Sequence, residues 1–211
     1  MADLDHVLAT TRAVRKRLDF DRPVPREVIE ECLQLALQAP TGSNRQGWQF
    51  VVVTDAEKKR RIGELYRESW YAYANAGRPT YAEDDPRHRQ QPRVISSAQY
   101  LADRFGEVPV MVIPCIEGRV DNGASNQAIA GLYGSILPAA WSFQLAARAR
   151  GLGTSYTTLH LKYERETAEM LGIPYERVTQ AALITVGYYT GEDFKAAERI
   201  PLDRVVHWDR W

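Results

Sequence analysis

Residues 125–149 restrict how this chain can fold more than any other stretch. Large apolar side chains recur through the predicted helix and leave almost no polar side: Ile129, Leu132, Tyr133, Ile136, Leu137, Trp141, Phe143 and Leu145. Such a helix is expected to be buried all round. Its many glycines and alanines permit close approach of another backbone, and Pro138 predicts a kink. The helix can be covered by the rest of one domain or by a subunit interface running along it.

A polar turn between two apolar elements, within residues 39–53, is the second informative feature. Pro40 cannot continue a helix. Four turn-forming residues follow it: Thr41, Gly42, Ser43 and Asn44. Their short side chains compete for backbone hydrogen bonds, so the preceding helix ends at Pro40. Residues 48–53 are aromatic and β-branched and have the length of a buried strand. A polar loop between two core elements is well placed to bind a ligand.

Helices outnumber strands along the chain, which is typical of an α+β fold. Besides 125–149, helices are predicted at residues 3–10, 26–38, 55–73, 95–105 and 164–171. Strands are predicted at residues 48–53, 108–116, 155–159 and 179–189. Pro109 and Pro114 each remove a ladder donor, so we expect them near strand ends or at an edge. We predict one domain over residues 1–211 with a C-terminal extension at 195–211.

Residues 77–93 carry three prolines and many charges without apolar periodicity. This composition is typical of an exposed, mobile loop. Long loops are often functional, so we interpret the segment as a candidate lid, with an idle loop as the alternative.

Charge and hydropathy narrow the classes of function. Basic and acidic residues balance at 27 each, so no overall field favours nucleic acid or an anionic membrane. Apolar runs fall far short of the roughly 20 residues of a membrane span. Residues 1–6 include two aspartates where a signal peptide would carry basic residues, so no signal peptide is predicted. Cys32 and Cys115 lie in apolar surroundings and are interpreted as reduced core residues. We expect a cytoplasmic protein with no nucleic-acid and no membrane partner.

No sequence motif supplies a catalytic side chain or a metal site. Residues 151–156 begin like a dinucleotide-binding fingerprint, but Tyr156 stands in place of its third glycine and a strand follows. There is no Walker loop, nucleophile elbow or metal-ligand spacing, and the four scattered histidines are interpreted as structural or solvated. If the protein is an enzyme, a cofactor must carry its chemistry.

Arginines near both ends of the chain are candidates for holding the phosphate of such a cofactor. Arg12 and Arg15 are three residues apart, on one face of a helical turn or just past its end, where both guanidiniums can reach one phosphate. Arg199 is a third candidate. The alternative for each of them is an ordinary solvated charge.

Four segments, taken in chain order, resemble the FMN-dependent nitroreductase family. They are Arg12-Ala-Val-Arg15, the stretch Ala39-Pro-Thr-Gly-Ser-Asn44-Arg-Gln46-Gly-Trp48-Gln-Phe50, Arg150-Gly-Leu-Gly153-Thr, and Arg199-Ile-Pro-Leu. The resemblance spans nearly the whole chain. It implies a three-layer fold with a central, mostly antiparallel sheet flanked by helices. It also implies an intertwined homodimer around helix 125–149, with two FMN sites at the interface.

The resemblance further implies which residues bind FMN. Arg12, Ala13 and Arg15 of one subunit would hold the phosphate and one flavin edge, with Arg199 also on the phosphate. From the other subunit, five residues would close on the flavin: Pro40, Thr41, Gly42, Asn44 and Gln46. Backbone groups would lie along the ring, one N–H near the flavin N5, in Tyr156, Thr157, Thr158 and Leu159. No side chain is implied to be catalytic, and Ala13 stands where the family commonly has serine.

The implied activity is ping-pong oxidation and reduction. NADH or NADPH reduces FMN, and a nitroaromatic or quinone then takes the two electrons. Residues 77–93, with Trp70, Tyr71 and Tyr81, are the candidate wall that selects the aromatic acceptor. Three alternatives stay open: another reaction on the same scaffold, such as enone or flavin reduction or dehalogenation; a flavin-binding protein without turnover; and an interaction domain without flavin.

Overall fold

A computed structural model describes residues 3–77, 79–120 and 123–211. The helices are α1 (Leu4–Thr10), α2 (Arg26–Ala36), α3 (Ala56–Asn75), α4 (Pro86–Asp103), α5 (Asn126–Ala149) and α6 (Glu164–Leu171). The strands are β1 (Trp48–Val53), β2 (Val110–Glu117), β3 (Leu152–Thr157), β4 (Val178–Gln180) and β5 (Leu183–Tyr188). They form one sheet in the order β1-β2-β5-β3, with β4 also beside β2 and every strand pair antiparallel.

Strand β2 divides the core into two layers of side chains. Met111, Ile113 and Cys115 pack in one core cluster with residues of α3, α4 and α6, whereas Val110 and Val112 pack in another with residues of α2 and α5. This alternation is what a strand buried on both faces requires. The result is a three-layer α+β domain, which confirms the predicted fold class.

Pro114 lies inside β2, so the expectation of a strand end or an edge was wrong for this residue. On one side of β2, residues 115–117 pair with β4 and residues 110–112 pair with β5, which leaves 114 between the two ladders. Between the two ladders, the three residues 181–183 lie opposite only two residues of β2, 113 and 114. The extra residue is accommodated as a β-bulge. Pro114 O accepts from Ala181 N at 2.9 Å, and the missing donor falls at this irregular point. The predicted strand 179–189 is therefore two strands.

Helix α4 begins at Pro86, well before the predicted start at residue 95. Asp85 caps it by accepting from Arg87 N at 2.8 Å, and Pro86 occupies the first turn, where no N–H is needed. The helix continues through Pro92, one of the three prolines from which a loop was predicted. Much of the predicted loop 77–93 is therefore helical. Arg78, which belongs to the predicted lid, lies outside the described residues.

Helix α5 is more deeply buried in its second half than in its first. Residues 126–131 are exposed in a single subunit, whereas Ile136, Ala140 and Phe143 are fully buried. Ile129, Leu137 and Trp141 are exposed by 39%, 37% and 44%, and with the half-buried Tyr133 they form a stripe at four-residue spacing. The rest of one chain therefore does not cover the whole helix, which was one of the two predicted ways of burying it.

The chain ends in a tail without a core of its own. Residues 198–211 are all exposed, including Leu202, Trp208 and Trp211. None of the helices in the described residues combines the length and apolar character needed to cross a membrane.

Candidate cofactor site

Strand β3 holds the segment that carries Arg12 and Arg15. Helix α1 ends at Thr10, so both arginines follow the helix rather than share a face of it. Ala13 forms a parallel bridge with Thr154, and Val14 N donates to Thr154 O at 2.8 Å. A Cβ on Gly153 would lie 2.8 Å from Val14 Cγ1, closer than real Cβ contacts allow. The missing side chain of Gly153 therefore lets this segment lie against the sheet.

Four guanidiniums from four different parts of the chain form an arginine cluster: Arg12, Arg93, Arg148 and Arg199. Burial lowers the pKa of Arg12, and the positive charges of Arg199, Arg148 and Arg93 lower it further. Arg12 donates to backbone oxygens only, Thr10 O at 3.3 Å and Lys195 O. Within the described residues, the side chains of Arg93 and Arg199 make no hydrogen bond and no ion pair. The cluster thus has an excess of positive charge, which favours binding of an anion.

Arg148 is the member of the cluster that has a carboxylate partner. It is buried at the end of α5, where it donates to Tyr189 Oη at 2.7 Å and to Thr10 Oγ1 at 3.0 Å. It also pairs with Asp193, which in turn bonds His6 Nε2 at 2.8 Å. The hydrogen bond from Arg148 holds the pKa of the Asp193 carboxyl well below its usual range. Arg148 thereby anchors the start of the tail beside α1 and α5.

Arg15 and the end of β3 meet at Tyr66 of α3. Arg15 Nη1 donates to Ser97 Oγ at 3.3 Å, burial lowers the pKa of Arg15, and its charge acts on Tyr66. Thr157 Oγ1 donates to Tyr66 Oη at 3.3 Å and accepts from Leu159 N at 3.3 Å. The Leu159 amide is therefore occupied. The exposed Thr158 has an amide N–H without a hydrogen-bond partner in the described part of the chain.

The loop of residues 40–46 is held by α5 and by its own turn. Gly42 N donates to Ser135 Oγ at 3.1 Å, and Gln46 N donates to Thr41 Oγ1 at 3.1 Å. The Gln46 side chain donates to Asn44 Oδ1 at 3.0 Å. Two of the residues assigned to the flavin, Asn44 and Gln46, have positive φ angles of 52°, which is unusual outside glycine. The turn between α2 and β1 is confirmed.

The predicted site residues thus fall into two groups within one subunit. Segment 12–15, residues 156–159 and Arg199 converge around β3, α4 and the tail. Loop 40–46, which includes Pro40, lies against the middle of α5, and its hydrogen bonds among the described residues do not reach the first group. The exposed stripe of α5 lies beside this loop.

A pocket of about 360 Å³ lies between α3 and α4. Its lining includes Arg15, Trp70, Tyr73, Tyr81, Gln91 and Val94. Two α4 side chains hold the preceding segment in place, because Gln91 Nε2 donates to Pro79 O at 2.7 Å and His88 Nδ1 to Tyr81 O at 3.1 Å. Trp70 and Tyr81, two residues of the predicted acceptor wall, therefore line the same pocket. Tyr71 does not line the pocket, and its hydroxyl donates to Asp103 Oδ1 at 3.0 Å.

The cysteines and His160 belong to the core. Burial raises the pKa of Cys32 to about 11 and that of Cys115 to about 12, in agreement with their interpretation as core residues. Burial lowers the pKa of His160 to about 3, so its imidazole is neutral near pH 7, and neither ring nitrogen has a hydrogen-bond partner. Among residues 3–77, 79–120 and 123–211, no group of three or more His, Cys, Asp or Glu side chains could hold a metal ion.

Arg93 and Arg148 are the site residues that the sequence analysis missed. Arg148 gave a usable signal, because it is a charged residue near the end of an otherwise apolar helix. Arg93 gave none, since it lies in a segment rich in charges that is predicted to be a loop.

The family model described as the Nitroreductase family matches residues 8–188. The chain therefore belongs to the Nitroreductase family, which confirms the resemblance found in the sequence.

Two curated relatives and one solved structure illustrate the range of this family. The chain is 30% identical over 222 residues to an NADH dehydrogenase of Thermus thermophilus, covering 96% of this chain and 97% of the relative. It is 28% identical over 243 residues to a 4-nitrobenzoate reductase of a Nocardioides species, covering 97% of this chain and 90% of the relative. An iodotyrosine deiodinase crystallised with FMN and 3-iodo-L-tyrosine has the same fold, with a TM-score of 0.75 and 20% identity. The match covers 99% of this chain and 100% of the deiodinase chain.

Proposed function

We propose that this protein is an FMN-dependent oxidoreductase that takes electrons from NADH or NADPH and reduces aromatic acceptors such as nitroaromatics or quinones. The observation that carries the proposal is the arginine cluster beside β3. Arg12, Arg93 and Arg199 have no carboxylate partner, and the dianionic phosphate of FMN would neutralise this excess charge. The relatives named NADH dehydrogenase and 4-nitrobenzoate reductase support the choice of electron donor and acceptor.

The residues of the first group would hold the two ends of FMN. Arg12, Arg15 and Arg199 would bind the phosphate, with Ala13 beside them on the sheet. Tyr156, Thr157, Thr158 and Leu159 would lie along the ring, and the Thr158 amide is the backbone donor free to hydrogen-bond it. Bound FMN supplies the redox chemistry, since it accepts a hydride from the nicotinamide and passes two electrons to the acceptor.

We further propose that the active form is a homodimer in which α5 pairs with α5 of a second subunit. Its exposed stripe of Ile129, Tyr133, Leu137 and Trp141 is apolar, and such a patch is typical of a protein interface. The adjoining loop 40–46 would then complete the flavin site of the second subunit. Two buried, unpaired cysteines are in keeping with a reducing compartment, the cytoplasm.

The pocket between α3 and α4 is our candidate for the acceptor site. Trp70, Tyr73 and Tyr81 line it with aromatic side chains that could contact a planar aromatic compound. Aromatic pairs of this kind are worth about 0.5–1.5 kcal/mol beyond the area they bury.

The first test is an absorption spectrum of the purified protein between 300 and 600 nm, followed by anaerobic addition of NADH or NADPH. We expect flavin bands that bleach within seconds and return when a nitroaromatic or a quinone is added. Bands that bleach with neither nucleotide would indicate a flavin-binding protein without turnover. Protein that stays colourless after incubation with FMN would exclude the proposal.

The shared site can be tested by mixing two inactive variants, Arg12→Ala and Asn44→Ala. If each flavin lies between segment 12–15 of one subunit and loop 40–46 of the other, a mixed dimer has one intact site. Random reassortment would restore about a quarter of the wild-type sites. The two variants measured separately are the controls. If mixing restores nothing although mixed dimers form, both groups of residues serve the same subunit or the loop does not bind FMN.

A further inference from the structure

Helix α4 reaches both segments that border the arginine cluster. Arg89, Arg93 and Ser97 recur at four-residue spacing and share one helix face. At one end of this face, Arg89 Nη2 donates to Glu198 Oε1 of the tail at 3.0 Å. At the other end, Ser97 Oγ accepts from Arg15 Nη1 at 3.3 Å. Arg93 therefore lies between the tail and segment 12–15, where the phosphate candidates converge.

Arg93 differs from the other arginines in the first turns of α4. Arg87 pairs with Asp85 at 2.6 Å and Arg89 pairs with Glu198 at 3.0 Å. Arg93 has no such partner in the described residues, yet it is close enough to Arg12 for the two positive charges to repel. Two cations without a counter-ion are unfavourable neighbours unless an anion binds between them.

Helix α4 also builds one wall of the pocket. Gln91 and Val94, on either side of Arg93 in the sequence, line the pocket, and Gln91 and His88 hold the segment that carries Pro79 and Tyr81. A ligand that fixes Arg93 would therefore also fix the position of this wall.

We propose that Arg93 is a further ligand of the FMN phosphate and that phosphate binding orders α4 and, with it, the acceptor pocket. The proposal rests on the proposed function. It adds a fourth guanidinium to Arg12, Arg15 and Arg199, and it couples cofactor loading to the shape of the pocket that α4 borders.

The test compares FMN with riboflavin, which has the same ring but no phosphate. Apoprotein is titrated with each ligand, and binding is followed by quenching of flavin fluorescence. Arg93→Gln is expected to weaken FMN binding about 10-fold, the lower end for one charge-assisted hydrogen bond. Riboflavin binding should not change. The double change Arg89→Gln with Glu198→Gln is the matched control, because it removes a whole ion pair from the same helix and tail without changing the net charge. It should leave the ratio of the two affinities unchanged.

The outcomes separate this proposal from the proposed function. Equal losses for FMN and riboflavin in Arg93→Gln would show that Arg93 is merely structural. Unchanged FMN binding in Arg93→Gln, together with a loss in Arg12→Gln, would place the phosphate elsewhere in the cluster. Wild-type protein that binds neither ligand would overturn the proposed function itself.

Hydrogen–deuterium exchange tests the ordering of α4 without any turnover. FMN is expected to slow amide exchange in residues 86–97 of the wild type, and riboflavin to slow it much less. In Arg93→Gln, FMN should lose this additional effect. Equal protection by FMN in the wild type and in the variant would show that α4 is not ordered through Arg93.

Discussion

Segment 12–15 and loop 40–46 both carry residues assigned to the cofactor, but the protein holds them by different means. The segment lies against β3 through a bridge between Ala13 and Thr154 and through the close contact of Val14 with Gly153. The loop is held by its own side chains and by Ser135 of α5, with three non-glycine residues at positive φ. The segment is surrounded by α4 and the tail, whereas the loop stays largely exposed.

This difference indicates which part of the site one subunit can form alone. The segment has its neighbours within the same chain, so the arginine cluster is formed in a single subunit. The loop lies beside an apolar stripe that a single chain leaves uncovered. Under the proposed homodimer, the loop becomes functional only on assembly, and changes in the two regions should affect different measurements.

The largest effect is expected from Trp141→Glu, which places a charge in the exposed stripe. An aromatic residue central to an interface is typically worth 2 kcal/mol or more, so we expect the dimer to dissociate about 30-fold more readily. Bound FMN should fall with it. Sedimentation velocity at several protein concentrations measures this, with Leu4→Glu on α1 as a control for an exposed apolar residue outside the stripe. A wild type that sediments as a monomer would refute the assembly.

Gly153→Ala tests the segment by itself. The new Cβ would lie 2.8 Å from Val14 Cγ1, and overpacking of this kind costs about 1–3 kcal/mol. Displacement of Val14 should also weaken FMN binding, because Arg12 and Arg15 flank it. Urea unfolding of the apoprotein and an FMN titration measure the two effects. The matched change in the loop is Gly42→Ala, whose Cβ would meet Ser135 Oγ at an ordinary 3.5 Å and should leave stability nearly unchanged.

Acid should destabilise the protein through His160, the buried histidine that follows β3. The unfolded chain binds a proton on this histidine near pH 6.5, but the folded protein does so only near pH 3. The contribution of the neutral His160 to the free energy of unfolding is therefore fully present above pH 6.5. Below pH 6.5 the free energy of unfolding falls by up to about 1.4 kcal/mol per pH unit. Urea unfolding between pH 4.5 and 7 checks this against His160→Leu. Parallel pH profiles of the two proteins would contradict it.

The smallest effect, and the most informative in its sign, is expected from Gly134→Ala in α5. Within one chain, a Cβ at this position meets nothing within 4 Å. Alanine should then stabilise the helix by about 0.5–1 kcal/mol. We expect this gain in the Trp141→Glu background and a smaller or reversed effect in the otherwise unchanged protein. The same gain in both backgrounds would show that no second subunit approaches Gly134.

The sequence was sufficient to predict those helices and strands for which the cap, the periodicity and the end signal all indicate the same bounds. Helix α6 was predicted with its correct ends, and Asp55 caps α3 as expected by accepting from Lys58 N at 2.8 Å. Helix α4 was predicted too short because Pro92 and the surrounding charges outweighed the cap at Asp85. The bulge opposite Pro114 was missed because it depends on the pairing of two strands distant in the sequence.

The candidate site divides in the same way. Arg12, Arg15 and Arg199 are assigned from their sequence segments. In the structure Arg12 lies near Arg199, whereas Arg15 contacts Ser97 and lies near Tyr66. Arg93 and Arg148 join them only through tertiary contacts between distant elements. Periodicity and motif spacing cannot report such contacts.

The tail gives the protein an optical property of its own. Trp208 and Trp211 are exposed by 84% and 101%, and Trp141 is partly exposed, whereas Trp70 is buried. Indole emission moves to shorter wavelength when the ring leaves water. The unmodified chain therefore carries fluorophores at its C-terminus and on α5, and covering of the tail or of α5 can be followed by intrinsic fluorescence, without an attached dye.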